Sequence, residues 1–232
     1  MAVGYDNLDI NHNIILDLPL FEGVGIVTRD VSKSRYPFTL TGAPAYFALA
    51  SGLGVLDFTA ATPDFLEAAI AVAANMDFTS EDFSIASWIN PDTLVGDLTL
   101  LCHGLAATEG YYIDCLANGS VAFYSNQGGA AQQSVISDTG VVIINTHQLI
   151  GISRSGVLVQ IFKNGREVGY VLQEDIVDPL TSARKVLFGV YDGEVTNPWS
   201  QYMGRQRAWL NRQLTAENHQ FLFETGRHWY GV

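Results

Sequence analysis

The clearest indication of the fold class is the segment DFTSEDFSIASWINP (77–91). From Phe83 onward its residues alternate between two faces, with Phe83 and Ile85 on one face and Ala86 and Trp88 on the other. A period of two is the pattern of a β-strand, and large apolar residues on both faces indicate a strand that is covered on both sides. We therefore expect residues 83–89 to form an inner strand of a β-sandwich.

The rest of the chain also consists of short segments that are typical of β-strands. From Ile14 onward, strand-sized apolar runs are separated by Gly, Asn, Asp and Pro. Asn118-Gly119 and Asn164-Gly165 each stand between two such runs, and Asn-Gly in that position is a strong hairpin signal. Because no linker, repeat or charge block divides residues 14–230, we predict one domain there, preceded by an N-terminal arm at 1–13.

Two stretches need separate treatment. LEAAIAVAANM (66–76) has helix-forming composition, but its neighbours favour an extended segment followed by a loop. Thr215 can cap a helix spanning about 216–225, with Gly226 as the left-handed stop. The predicted fold class is all-β with one short C-terminal helix.

Composition excludes some classes of function. The chain carries 24 acidic and 12 basic residues, which gives a formal net charge of −12. Nucleic-acid binding requires clustered Lys and Arg, and the basic residues here are scattered, so we expect no nucleic-acid partner. Charged residues make up 16%, against roughly 25% in typical soluble domains. Either neutral polar side chains cover the surface, or partner chains cover part of it.

The two cysteines and the N-terminus give weaker information. Cys102 and Cys115 lie in apolar strand-like runs, which favours buried free thiols and leaves open a single bridge between neighbouring strands. The N-terminus has no signal-peptide pattern, and no apolar run reaches the length of a membrane helix. We expect a soluble protein without membrane insertion.

Several segments, in chain order, resemble laminin-G-like, pentraxin-like domains of the concanavalin A-like lectin/glucanase superfamily. The segments are LPLFEGVGIVTRDVSKSRYPFTLTG (18–42), LDFTAATPDFLEA (56–68), 77–91, GYYIDCLANGSVAFYS (110–125), NTHQLIGISRSGVLVQIFKNGREV (145–168) and YMGRQRAWLNRQLTAENHQFLFETG (202–226). The resemblance implies an antiparallel two-sheet jelly-roll β-sandwich. It implies no single function, because the fold hosts lectins, adhesion modules, glycosidases and structural domains.

Catalysis is disfavoured by the acidic residues. Glycosidases that share this fold carry paired carboxylates on one strand in an E-x-D-x-x-E pattern, and this chain has no such string. Its nearest clusters, Glu81-Asp82 and Glu174-Asp175, would place adjacent carboxylates on opposite faces of a strand. We expect no enzyme, with a glycoside hydrolase as the third-ranked function.

Two kinds of binding site are predicted. Sugar binding needs exposed aromatic rings, and five lie near predicted loops or hairpins: Trp199, Tyr202, Tyr111, Tyr112 and Tyr124. Trp199 is the best candidate, and its alternative role is to cap the edge of the core. Many members of the family that this chain resembles bind calcium through oxygen atoms of loop residues, so calcium is the one possible cofactor. The candidate ligands are Asp138, Asp192, Glu194 and Asn197. The alternative for these four is ordinary turn chemistry.

Two functions follow. The first is a non-catalytic structural or assembly module, a decoration, capsid or tail protein on a virus or phage particle, whose partners are other protein chains or copies of itself. Three features of the sequence favour this function: the low content of charged residues, the polar N-terminal arm and the aromatic tail HWYG (228–231). The alternative is a free carbohydrate-binding lectin or adhesion domain whose partners are glycans.

Overall fold

A computed structural model describes residues 5–129, 131–193 and 195–232. Within them the chain forms short strands and one C-terminal helix, α1 (Ala216–Tyr230). The strands are β1 (Ile14–Leu18), β2 (Val27–Arg29), β3 (Pro37–Thr41), β4 (Ala45–Ala48), β5 (Gly54–Phe58), β6 (Phe65–Ala68), β7 (Phe83–Pro91), β8 (Leu98–Leu105), β9 (Glu109–Cys115), β10 (Val121–Gln127), β11 (Ala131–Ser137), β12 (Gln148–Ser155), β13 (Leu158–Lys163), β14 (Arg166–Glu167), β15 (Tyr170–Gln173), β16 (Val186–Phe188) and β17 (Gln201–Leu210).

The strands build two antiparallel sheets. Sheet A has the order β14-β13-β12-β7-β17-β5-β4, with β1 also paired to β17, and sheet B has the order β15-β11-β10-β9-β8-β16-β6-β3-β2. Strand β7 lies inside sheet A, between β12 and β17, and all nine of its residues are buried. The predictions of an all-β two-sheet sandwich and of an inner strand at residues 83–89 are confirmed.

The predicted Asn-Gly turns join paired strands. Asn164 and Gly165 both have positive φ, as the tight turn between β13 and β14 requires. At the other turn, only Gly119 has positive φ, and it connects β9 to β10. Both sites therefore reverse the chain between hydrogen-bonded neighbours.

The main core lies between the sheets. Its centre is a set of aromatic rings, in which Phe83 stacks on Phe78 with ring centroids 4.4 Å apart and also contacts Tyr111 and Phe123. The Tyr111 hydroxyl donates a hydrogen bond to the carbonyl of Met76, at 2.8 Å. Burial of such rings contributes on the order of 2 kcal/mol each.

A second apolar layer covers the outer face of sheet A. Helix α1 and residues 5–13 pack there around Trp88 and Trp209, and the Trp209 indole donates to the carbonyl of Ile10 at 2.8 Å. The N-terminal segment described as an arm therefore packs against the sandwich from Tyr5 onward. Among the described residues, no helix is long and apolar enough to cross a membrane.

The structure confirms the prediction for residues 66–76 and corrects the predicted end of the C-terminal helix. Residues 66–76 run from β6 through turns into a short 3-10 helix at Ala74–Met76, so the predicted extended segment plus loop is confirmed. The predicted helix end was wrong: α1 passes through Gly226 and ends at Tyr230, and the left-handed cap is Gly231, with φ of 75°. Thr215 caps the helix as predicted, through a capping box with Asn218.

Candidate functional site

Helix α1 is fixed to sheet A by a buried polar contact. Ser153 of β12 lies 2.9 Å from Nε2 of His219, and its hydroxyl also lies 3.0 Å from that of Ser84. The His219 ring stacks on Phe162, with centroids 4.2 Å apart, and burial lowers its pKa to about 3. Because His219 and Ser153 are fully buried, this serine–histidine pair anchors the helix and offers no nucleophile to a substrate.

An open cavity of about 490 Å³, which we call the helix groove, is lined by residues of both α1 and sheet A. The volume lies within the usual range of small-molecule sites, roughly 300–1,000 Å³. Its floor is the outer face of sheet A, and the helix and two loops form its walls. It is lined by Pro19, Phe21, Ser51, Gly52, Leu53, Gly54, Ala86, Trp88, Leu149, Arg205, Arg207, Leu222, Thr225, Gly226, Trp229 and Tyr230.

Aromatic rings dominate one side of the helix groove. Trp88 is stacked on Tyr230 with centroids 4.0 Å apart and also contacts Phe223. At the mouth, Phe21 and Trp229 are exposed, and Trp229 keeps 49% of its surface accessible. The inner rings therefore form a fixed wall, while the outer rings are free to contact a ligand.

The polar part of the floor comes from alternate residues of β17. Arg205 and Arg207 point to the same face, and both reach the buried carboxylate of Asp17 on β1. Burial alone would raise the pKa of Asp17, but hydrogen bonding and the charges of the two arginines hold it below its usual value. The carboxylate stays ionised and fixes both guanidinium groups beside the cavity.

The outer face of sheet B carries a different surface, which we call the tyrosine face: Tyr112, Tyr124 and Tyr191. Tyr112 and Tyr124 stack with centroids 4.5 Å apart, and Tyr191 meets Tyr112 edge-on at 5.0 Å. Gln132 donates to the Tyr112 hydroxyl at 2.8 Å. Tyr124 and Tyr191 are half-buried, so part of each ring reaches solvent.

Asp114 lies two residues from Tyr112 on the same strand and face. Thr99 donates to this carboxyl group at 2.7 Å. Burial raises the pKa of Asp114 to about 7, and the charge of Asp97 adds to the shift. Asp97 itself accepts a hydrogen bond from the backbone of Ala117.

The five aromatic residues predicted to bind sugar are separated in the structure. Trp199 and Tyr111 are fully buried in the core between the sheets, so the expectation of an exposed Trp199 ring was wrong and its alternative role in the core is correct. The polar neighbours of Trp199 in sequence suggested an exposed ring, but the ring points into the core. Tyr112 and Tyr124 meet on the tyrosine face, and Tyr202 stacks on Phe47 over sheet A.

Three of the four calcium candidates lie within the described residues, and one of the three forms an ion pair through its side chain. Asp192 pairs with Arg184 at 2.6 Å, and the backbone amide of Asp138 donates to the carbonyl of Gly169. Asn197 adopts a left-handed turn conformation with φ of 50°, and Glu194 lies outside the described residues. Across the described ranges, no group of three or more His, Cys, Asp or Glu side chains is placed to hold a metal ion.

Both cysteines are buried and free, on the paired strands β8 and β9. Burial raises the pKa of Cys102 to about 12. The thiol is therefore protonated at neutral pH and poorly reactive.

A family model described as the concanavalin A-like lectin/glucanases superfamily matches residues 67–218, about two thirds of the chain. The chain belongs to this superfamily. A search of curated proteins found no match.

Solved structures with this lectin-like fold include bacterial toxin domains. One is from botulinum neurotoxin type C, whose cell entry depends upon interaction with two ganglioside molecules (TM-score 0.70, 14% identity, covering 94% of this chain and 52% of that one). Another is the binding domain of botulinum neurotoxin DC in complex with rat synaptotagmin II (0.69, 15%, 94% and 52%). A third is the binding domain of Paraclostridial Mosquitocidal Protein 1 (0.70, 12%, 94% and 53%). The chain spans about half the length of these structures, and at such identity the likeness shows the fold.

Sequence reasoning missed the arginines and Trp229 as site residues. The signal for the arginines was present in GRQRAW (204–209), where Arg205 and Arg207 alternate along a strand. Their importance comes from Asp17, which lies 188 residues away from Arg205 in sequence. Only the pairing of β1 with β17 brings these charges together.

Proposed function

We propose that the protein is a non-catalytic carbohydrate-binding module whose ligand occupies the helix groove. One observation carries the proposal: a cavity of about 490 Å³ combines exposed aromatic rings with hydrogen-bonding side chains. Sugars offer apolar ring faces and hydroxyl groups, and a site of this mixed character suits both. Trp229 supplies an exposed ring, while Ser51, Thr225 and the arginines supply polar groups.

The lining of the groove favours binding over catalysis. Glycoside hydrolysis requires two carboxyl groups on either side of the scissile bond. Among the described residues that line the groove, none is Asp or Glu. Asp17 lies beneath the floor and is fully buried by the arginines, out of reach of a ligand. The toxin structures of the same fold come from proteins that interact with ganglioside molecules or form a complex with synaptotagmin II, which supports a binding role.

A glycan array tests the proposal with matched variants. Trp229→Ala should abolish binding, because it removes the exposed ring at the groove mouth. Phe221→Ala is the control: Phe221 lies on the same helix and is 51% exposed, but it does not line the helix groove. Equal loss in both variants, or binding to no glycan by the wild type, would contradict the proposal.

The tyrosine face is the second candidate surface for sugar, since Tyr112 and Tyr124 meet there beside hydrogen-bonding groups. Tyr124→Ala separates the two sites. If this variant loses glycan binding and Trp229→Ala keeps it, the ligand lies on sheet B. We expect the opposite result, because the groove is a concave site of about 490 Å³.

Assembly on a particle surface is the second candidate function, supported by exposed apolar side chains on loops. Val24, Ile26 and Val95 are each more than two thirds exposed. Such side chains are suited to burial against another chain. Light scattering during size-exclusion chromatography tests this: an oligomer that a Val24→Ser, Ile26→Ser variant converts to monomer supports assembly, and a wild-type monomer at all concentrations contradicts self-assembly.

A further inference from the structure

The floor of the helix groove has an excess of positive charge. Arg205 engages both oxygens of Asp17 through Nε and Nη2. The Nε of Arg207 lies 3.4 Å from the same carboxylate, and the Tyr5 hydroxyl also donates to it. One carboxylate therefore serves two guanidinium groups, which leaves a local charge of about +1 in a chain whose formal net charge is −12.

Arg207 has the greater unused binding capacity. Its side chain is only 16% exposed, yet in the described part of the chain its two terminal nitrogens have no hydrogen-bond acceptor. A guanidinium group withdrawn from water is stabilised by a paired anion, and its planar fork matches the two oxygens of a carboxylate. No acidic side chain lines the groove in the described ranges, so a carboxylate on a ligand would be the second anion for the two guanidinium groups that share Asp17.

We propose that the helix groove selects sugars that carry a carboxylate, with the carboxylate bound to Arg207 and the sugar ring against Trp229. This inference rests on the proposed carbohydrate-binding function and names the class of its ligand. The two residues are suited to different parts of one molecule, because both line the same cavity. Neutral sugars would leave Arg205 and Arg207 with the Asp17 carboxylate alone.

The test uses D-glucuronate and D-glucose, two probes that differ only in whether the sixth carbon is a carboxylate. Binding is followed through the indole N–H signals of the four tryptophans in ¹⁵N-labelled protein. Trp88 and Trp229 report on the groove. Trp199, in the core between the sheets, and Trp209, bonded to Ile10, serve as internal controls. We expect glucuronate to shift the groove signals and to bind about tenfold more tightly than glucose.

Two substitutions at Arg207 test whether this residue causes the preference for glucuronate over glucose. Arg207→Gln should reduce the preference to about one, and Arg207→Lys, which keeps the charge, should retain part of it. The unchanged Trp199 and Trp209 signals would show that each variant is folded. Equal binding of both sugars by the wild type would overturn the inference, and so would a preference that survives in Arg207→Gln.

A third probe separates this inference from the function on which it rests. Phenylacetate has a flat ring and a carboxylate but no hydroxyl groups. If it binds through Arg207 while neither sugar binds, the anion site stands and the carbohydrate function fails. If the sugars bind equally and Trp229→Ala abolishes that binding, the carbohydrate function stands and the acidic preference fails. If none of the three probes binds, both are wrong.

Discussion

The outer faces of the two sheets use their buried polar groups in different ways. On sheet A, a helix covers the strands, and a buried ionised carboxylate, Asp17, holds two arginines beside a cavity. On sheet B, the tyrosine face surrounds Asp114, a buried carboxyl group held by Thr99. The pKa of Asp17 is lowered, whereas that of Asp114 is raised to about 7.

The difference shows that the partner of a buried carboxylate decides its charge. Both side chains are almost completely buried, and burial alone raises the pKa of each. Two guanidinium groups reverse this effect at Asp17, while a single neutral hydroxyl cannot do so at Asp114. Sheet A therefore gains a fixed charged site, and sheet B gains a group that changes its protonation near neutral pH.

Removing the charge of Asp17 should have the largest effect. Asp17→Asn leaves two partly buried guanidinium groups without their anion, and we expect the free energy of unfolding to fall by about 3–5 kcal/mol. Urea denaturation at pH 7 measures this change. Asp9→Asn is the control, because Asp9 pairs with Arg212 but its side chain is 91% exposed; it should change stability by about 0.5 kcal/mol or less. A loss below about 1 kcal/mol in Asp17→Asn would contradict the contrast between the two faces.

Asp114 should make sheet B sensitive to rising pH. Its pKa is 3.8 in the unfolded chain and about 7 in the native state, so between these values the native state holds a proton that the unfolded state has lost. Its contribution to stability is complete below about pH 4 and is lost as pH rises to 7, by on the order of 4 kcal/mol. Denaturant titrations from pH 4 to pH 8 on wild type and Asp114→Asn measure the difference in slope. Parallel curves would show that Asp114 titrates normally.

His219 should give sheet A the opposite pH dependence. Burial lowers its pKa from 6.5 to about 3, so below pH 6.5 the unfolded state binds a proton that the native state excludes. Stability is fully present above pH 6.5 and falls with acidification, by about 3 kcal/mol between pH 7 and pH 4. His219→Gln removes this slope, and the difference between the two curves is what matters, since the substitution also changes packing on Phe162. If the free energy of unfolding changes with pH equally in the wild type and in the variant, the prediction is wrong.

Local rules predicted the strands but not the site. The alternation at residues 83–89 and the Asn-Gly pairs act over a few residues, and both predictions hold in the structure. The groove depends on Asp17 meeting Arg205 and on α1 crossing sheet A, contacts between distant parts of the chain. Trp199 shows the same limit, because its polar neighbours gave no sign that the ring turns inward.

Gly226 was misread for a related reason. A glycine near the end of a predicted helix is typical of a left-handed cap, but here it lies inside α1 against the Trp88 indole. A Cβ at this position would lie 2.9 Å from Cζ2 of Trp88, so the glycine allows the helix to approach the sheet closely. That approach forms part of the groove wall.

Gly226→Ala therefore gives the smallest and most local test of the covered face. In an open helix the substitution would stabilise by about 1 kcal/mol, but here the added methyl must push the helix from Trp88, and we expect a net loss of about 1–2 kcal/mol. Thermal unfolding measures the loss, and the Trp88 indole signal should shift while that of Trp199 stays in place. Thr225→Ala, one residue earlier in the same helix, controls for general changes in α1. A higher melting temperature in Gly226→Ala would mean that the helix lies farther from sheet A, and that the groove is wider than described.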